Sequence, residues 1–463
     1  MQNSNVIQLI RSFSAQELKH ARRFLESPYF NLRTDLIQLF DLLCQARNPD
    51  KQELWSALFP TEPFDETRFR LLLSYLNRLL ETFLQTEALK NKTIPDRFQL
   101  ARLYRRRGLM GHYERQMSAA GRELEQQSLR NVHYHNLLRD FYQEQHDMQL
   151  TQNPTNTESI RMLARHTDVA YLVHRLRLIC LELAQKNVYQ AGEDNSINQS
   201  IIRLAERPEW VDTPGIALYL ATSRMLAFPE EDGHFRQFMA LLPESEQHFS
   251  PGEIRELYMF AINHCIRQTN RGEQHLEQEV LRLYRQALEA GYLFENGVLS
   301  RFTYHNIVAA ALRCGELEWV AGFIPDYNGY LEPKYRNSAL SFNQARLDYA
   351  RHQYDSVLIL LQKANYNDPL LNLAAKTLLL KTYFVLQEFD LLQSHLDAMR
   401  NYIHRKKVIG YHRKNYLNII RFTERISNLA DLDRQAREQI RQQIRDEPVL
   451  TEKEWLLECL LVH

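Results

Sequence analysis

His352-Gln-Tyr354-Asp-Ser-Val357-Leu-Ile-Leu-Leu361-Gln-Lys-Ala364 decides the fold. A polar break leads into an aromatic residue, and apolar residues then follow at helical spacing. The same break and aromatic recur upstream in Gly315-Glu-Leu-Glu-Trp319 and downstream in Gln387-Glu-Phe389-Asp390. Trp319, Tyr354 and Phe389 are 35 residues apart each time. A period of about 34 is that of two-helix units, each burying its face against the next. The three aromatics are therefore expected to be mostly buried wedges between helices, with a ligand-binding box as the alternative.

Composition supports helices. The chain has 463 residues, which as globular units would make about three domains. A solenoid escapes that prior, because each repeat touches only its neighbours. The 14 glycines are too few to supply the strand-to-helix turns of a parallel α/β enzyme, well below the average share of about 7%. Alternating Val, Ile and Thr runs are almost absent, so strands have little support. The 57 basic and 57 acidic residues cancel, and the whole-chain balance points to neither nucleic acid nor membrane. Five cysteines at 44, 180, 265, 314 and 459 form no CxxC pair, which predicts reduced thiols and a cytoplasmic location. Met1-Gln-Asn-Ser-Asn5 opens no basic stretch before an apolar core, so a leader peptide is not expected. The longest apolar run, Thr377 to Leu386, is broken by Lys381 and is too short for a bilayer.

Local signals divide the chain. Ser14-Ala-Gln-Glu17 is a capping-box pattern opening a helix to about Glu26. From Asp65, Phe69, Leu72, Leu73, Leu76, Leu79, Leu80, Phe83 and Leu84 make one apolar stripe. Residues 1–92 lack the 35-residue period and are expected to form a helical head. Long helical hairpins are expected over 93–191, with a polar break at 192–198. Repeats should fill 199–430, and capping helices 431–463. Ser250-Pro-Gly-Glu253, Thr213-Pro214, Glu332-Pro333 and Asp368-Pro369 each read as a helix start. The pairs 333–351 with 354–365, and 369–386 with 389–402, follow.

Tyr354, Val357, Leu361 and Ala364, together with Val280, Tyr284 and Ala287, resemble the second helix of tetratricopeptide (TPR) repeats. Phe389, Leu392, Leu396 and Met399 keep that spacing. Ala345 and Leu380 stand where the family has Gly, and Val357 and Leu392 where it has Ala. The resemblance covers 250–402. It implies an all-α, TPR-like α-solenoid that binds proteins, and it carries over no catalytic residue.

Motifs for chemistry are absent. The chain has no GxxxxGK[ST], no GxGxxG and no HExxH, so neither a cofactor nor a metal is called for. His133 and His135 point apart on a helix, and His166 and His174 lie two turns apart, so each reads as a surface residue. Glu230-Glu231-Asp232 reads as a solvated loop. From Arg400 to Arg425 the chain carries many cations with interleaved Tyr402, Tyr411 and Tyr416, against the single acid Glu424. Arg405, Lys406, Lys407, Arg413 and Lys414 could contact phosphates while the tyrosines stack on bases; the alternative is a solvated helix end. Arg102-Leu-Tyr-Arg105-Arg106-Arg107 suits a helix C-terminus.

The final stretch, Thr451-Glu-Lys-Glu454 before Trp455-Leu-Leu-Glu-Cys-Leu-Leu-Val-His463, reads as a capping box and a short apolar helix. Trp455, Leu456 and Leu460 either cover the open end of the repeats or dock another protein. The expected function is a non-catalytic scaffold or adaptor for a protein or peptide. The alternative is a nucleic-acid-associated factor using 400–425. Oligomeric state stays open.

Overall fold

The computed structural model describes residues 4–46, 49–89, 93–152, 157–189, 196–362, 366, 368–406, 410–428 and 434–462. Among them the chain forms twenty-three α-helices and one two-stranded sheet. The fold is all-α. By its contacts the chain divides into two compact units, Met1–Tyr171 and Leu172–His463.

The first unit opens with α1 (Asn5–Ser12), α2 (Ala15–Leu25), α3 (Thr34–Gln45), α4 (Lys51–Leu58) and α5 (Glu66–Ala88). Side-chain caps set their starts. Ser14 and Glu17 form the reciprocal box at α2, while Asp50 and Asp65 accept backbone N–H groups at α4 and α5. The stripe of α5 buries Phe69, Leu72, Leu76, Leu80 and Phe83 against Trp55, Phe40 and Leu39, while Leu84 stays exposed. Next come α6 (Ile94–Arg106), α7 (Met110–Gln126), α8 (Val132–Gln152) and α9 (Glu158–Tyr189). The division at Tyr171 falls inside α9, a 32-residue helix that no proline or glycine interrupts. Most of the polar stretch at 192–198 lies outside the described residues.

The second unit continues with α10 (Ser196–Ala205), α11 (Pro214–Ala227), α12 (Asp232–Ser245), α13 (Pro251–Thr269) and α14 (Leu276–Glu289). The hairpin β1 (Phe294–Glu295) and β2 (Val298–Leu299) turns on Asn296-Gly297, both at positive φ. That is the two-residue turn an Asn-Gly pair favours. Then follow α15 (Arg301–Arg313), α16 (Leu317–Asn328), α17 (Pro333–Ala350), α18 (Tyr354–Gln362), α19 (Pro369–Val385), α20 (Phe389–Arg405), α21 (Gly410–Ser427), α22 (Arg434–Asp446) and α23 (Lys453–Val462). Helices pack as neighbours in sequence, α11 on α12, α13 on α14, and so on to α19 on α20. Alternate first helices also touch, α15 with α17 and α17 with α19.

The breaks between paired helices share one backbone device. Gly315, His352 and Gln387 have φ of 74°, 60° and 59°. In each case the N–H of this residue bonds the carbonyl three back, and the next N–H bonds the carbonyl five back, as Gln353 does to Asp348 at 2.8 Å. This double bond closes the helix end in a left-handed turn. The turn, not the aromatic, sets the register. Tyr354 and Phe389 follow it by two residues, whereas Trp319 follows by four.

The wedge expectation is corrected accordingly. Phe389 is 38% exposed, and Trp319 and Tyr354 are only half-buried. Each lies in the first turn of its helix, where it covers a neighbouring aromatic rather than entering the pair. Tyr354 packs on Tyr349 at 5.5 Å, Phe389 on Phe384 at 6.3 Å, and Trp319 on Phe323 at 5.0 Å. The buried positions between helices are Ala345 and Val357 in one cluster, and Leu380, Leu392, Leu396 and Met399 in the next. Ala364 lies outside the described residues.

Candidate interaction surface

Part of the basic stretch is occupied by the chain's own acids. Arg400 pairs with Asp397 at 2.8 Å and with Glu424. Glu447 pairs with Lys414 at 3.5 Å and with Arg421 at 3.1 Å. Tyr402 and Tyr416 turn inward onto the apolar core of α19–α23, so they offer no stacking platform. Arg405, Lys406 and Arg413 are exposed and make no ion pair among the described residues. Lys407 lies outside them.

The upstream arginines have a partner that helix-end electrostatics does not require. Arg102 and Arg105 clamp Glu144 at 2.9 and 2.8 Å, and the Glu144 side chain is fully buried. His135 likewise finds His166 on the facing helix, with Nδ1 atoms 3.4 Å apart. One ring donates and the other accepts, so the pair suits two neutral rings. Burial pushes His135 down to about 4. His133 and His174 are exposed. No group of three metal-ligating side chains occurs among the described residues.

The arrangement with most recognition chemistry lies on α15, α17, α19 and α21. Phe342, Arg346 and Tyr349 stand at i, i+4 and i+7 of α17, so they share one stripe. Ala374, Thr377 and Lys381 do the same on α19. With His305 of α15 and Tyr416 of α21 they surround a cavity of about 340 Å³. Asn343 donates to His305 Nδ1 at 2.8 Å and to the Ala339 carbonyl at 2.9 Å. Burial pushes His305 down to about 4. Arg346 donates to the His305 carbonyl at 3.0 Å and makes no ion pair among the described residues. Burial, with nearby Arg313, lowers it to about 10. The wall thus joins aromatic rings, the Asn306 amide, and an arginine that makes no ion pair among the described residues. A larger groove of about 860 Å³, lined from α12 to α16, is more open, and two of its three arginines are already paired, Arg282 with Glu279 and Arg285 with Glu316.

The chain's own C-terminal segment closes one side of the smaller cavity, with Thr451 and Glu452 in its lining. Trp455, Leu456 and Leu460 are buried in the same core as Leu380 and Phe384. The expected Thr451 box is replaced. Thr451 takes two hydrogen bonds with Asn415 instead, and α23 opens one residue later, where the Glu452 carbonyl accepts from Leu456 at 3.0 Å. Asn415, and Asn418 which donates to the Val449 carbonyl, carry no local sequence signal. Lys381 alone left a signal there, as the one charge interrupting an apolar run.

Compared with protein-family models, with curated proteins and with solved structures, the chain gives no match. No helix among the described residues is long and apolar enough to cross a membrane.

Proposed function

We propose that this chain is a non-catalytic, TPR-like helical-repeat scaffold of the cytoplasm, and that it binds a protein segment on the face made by α15, α17, α19 and α21. One observation carries this: that face joins aromatic rings, the Asn306 amide and Arg346 around a cavity, and it already holds a stretch of polypeptide. Mixed apolar and convergent polar walls are what peptide grooves offer. The test is affinity capture from a cell lysate with the unmodified chain and with Ala309→Arg, which fills the cavity from α15. Partners lost with Ala309→Arg at unchanged melting temperature support the face. An identical set of partners removes it.

A second reading rests on Arg405, Lys406 and Arg413, exposed on the segment that also contains Lys407 and Lys414. Nuclease treatment before capture separates the two. Partners that vanish with nuclease, and with Arg405→Glu/Arg413→Glu, favour contact with nucleic acid, which should also weaken steeply with salt.

A further inference from the structure

The segment Val449–Leu460 is held in the manner of a bound peptide. Two buried asparagines of α21 hold its backbone: Asn418 donates to the Val449 carbonyl at 2.9 Å, and Asn415 accepts from the Thr451 N–H at 2.9 Å. Such contacts grip a main chain whatever its side chains. The side chains that follow are read separately. Glu452 pairs with Lys381 at 3.0 Å. Trp455 enters a cage in which Phe384 meets it edge-on at 5.6 Å and the Lys381 ammonium lies 5.4 Å from its ring. The same ammonium lies 5.3 Å from the Tyr349 ring. One lysine thus serves an acid and two rings, an arrangement that attracts a carboxylate and an aromatic together.

This segment covers one end of the face only. The 340 Å³ cavity continues past Glu452 to His305 and Arg346, whose guanidinium makes no ion pair among the described residues.

We propose that Val449–Leu460 is a built-in ligand of the α17–α19–α21 face, and that the face takes partner segments of the same chemistry. These would carry a non-helical lead-in, an acidic side chain, and a tryptophan three residues later at the head of a short apolar helix. The proposal rests on the scaffold reading above. Such a partner displaces the tail, so the tail sets the affinity threshold.

The experiment uses the full chain and a fluorescent synthetic peptide of residues 447–463 with Ser in place of Cys459. Binding is followed by anisotropy. The unmodified chain should bind weakly, its face being occupied. Trp455→Ala in the chain loosens the internal copy and should tighten peptide binding at least tenfold. Adding Lys381→Ala should abolish that gain, and a peptide carrying Trp455→Ala should not bind. Circular dichroism reports whether Trp455→Ala stays folded. If it unfolds, Glu452→Gln, which removes only the ion pair, should tighten binding about threefold. A folded variant with no gain in peptide affinity overturns the proposal, as does a gain that survives Lys381→Ala. A concentration-dependent dimer of the unmodified chain that Trp455→Ala abolishes would assign the face to a second copy instead. Lysate partners sensitive to Ala309→Arg but unaffected by Trp455→Ala would leave the scaffold reading standing while the built-in ligand falls.

Discussion

The helical head and the region from α17 onward close their cores differently. The buried cluster of α1–α5 is apolar throughout, from Val6 to Phe83, and the only buried polar residue among the head's described positions is Asn31. From α17 on, Asn343, Asp348, Thr377, Thr382, Asn415, Asn418 and Thr423 are buried with the apolar residues. The threonines bond carbonyls one turn back within their own helices. The asparagines and the aspartate reach other elements, Asn343 to His305, Asp348 to Ser356, and Asn415 and Asn418 to the C-terminal segment. Apolar burial stabilises without direction. A buried polar group is costly unless its partner is in place, so it fixes which segment lies where. The head is built for stability, the later region for placement.

The widest separation of the two should appear on truncating an aromatic. Trp55 is 1% exposed and donates to the Glu62 carbonyl at 3.1 Å. Trp55→Ala should cost about 3–5 kcal/mol, as large core deletions do. Phe389→Ala, at the periodic position of the other region, should cost less than about 1.5 kcal/mol, since the ring covers a helix end and fills no interior. Urea titrations of the two variants check this, and equal losses would erase the distinction.

Replacing Asn415 addresses the polar half of the contrast. Asn415→Leu keeps the volume and removes both bonds to Thr451, so about 1–3 kcal/mol should be lost, with the Thr451 N–H left unpaired. Hydrogen exchange should show faster exchange over 449–460 and little change over the head. A uniform change along the whole chain would mean that Asn415 packs rather than places.

Acid should act unequally on the head and on the helices just before and at the start of the later region, α13–α17. The head's one histidine, His20, sits at the surface beside Glu87. His264 stacks on Phe235 at 5.0 Å, and burial pushes both His264 and His305 down to about 4. The folded state therefore keeps these rings neutral, while the unfolded chain protonates them near pH 6.5. Their contribution is present above pH 6.5 and is lost as pH falls towards 4. Between pH 7 and pH 5 each histidine should remove roughly 1–2 kcal/mol. Exchange rates corrected for intrinsic pH dependence should rise over α13–α17 and not over α1–α5, and His305→Phe should flatten part of that response.

Much of the helical framework was readable because its signals are local. Ser14, Ser250, Pro214, Pro333 and Pro369 stand at helix starts, and each works through groups within one turn. The register was harder. Spacing between aromatics points to one register, yet the left-handed residues Gly315, His352 and Gln387 define it, and two of them are not glycine. The contacts that make the candidate surface join helices far apart in sequence, as Lys381 joins Glu452 and Asn415 joins Thr451. No local pattern carries such a pairing. Glu447, which pairs with Lys414 and Arg421 of the basic stretch, lies outside any local pattern for the same reason.

The smallest effect concerns those left-handed turns. His352 and Gln387 hold a conformation in which Cβ crowds the backbone, costing an ordinary side chain on the order of 1 kcal/mol. Gly315 meets the same requirement without that cost, with nothing within 4 Å of where its Cβ would stand. Neither position belongs to a core. His352 is exposed, its ring reaching only the Tyr354 hydroxyl at 2.9 Å, and Gln387 is exposed as well. His352→Gly and Gln387→Gly relieve the strain but free the unfolded chain, which opposes part of the gain. A net stabilisation of about 0.3–1 kcal/mol per site is expected, read as a higher urea midpoint at unchanged slope. Gln387→Gly should come out ahead, because His352→Gly also gives up the bond to Tyr354. The contrast with the head then gains a lower bound: its helix starts are held by side-chain caps such as Asp50 and Asp65, which glycine weakens. Asp65→Gly should destabilise where Gln387→Gly stabilises, and a shared sign at the two sites would mean that the turns after α17 and α19 are held by more than the backbone.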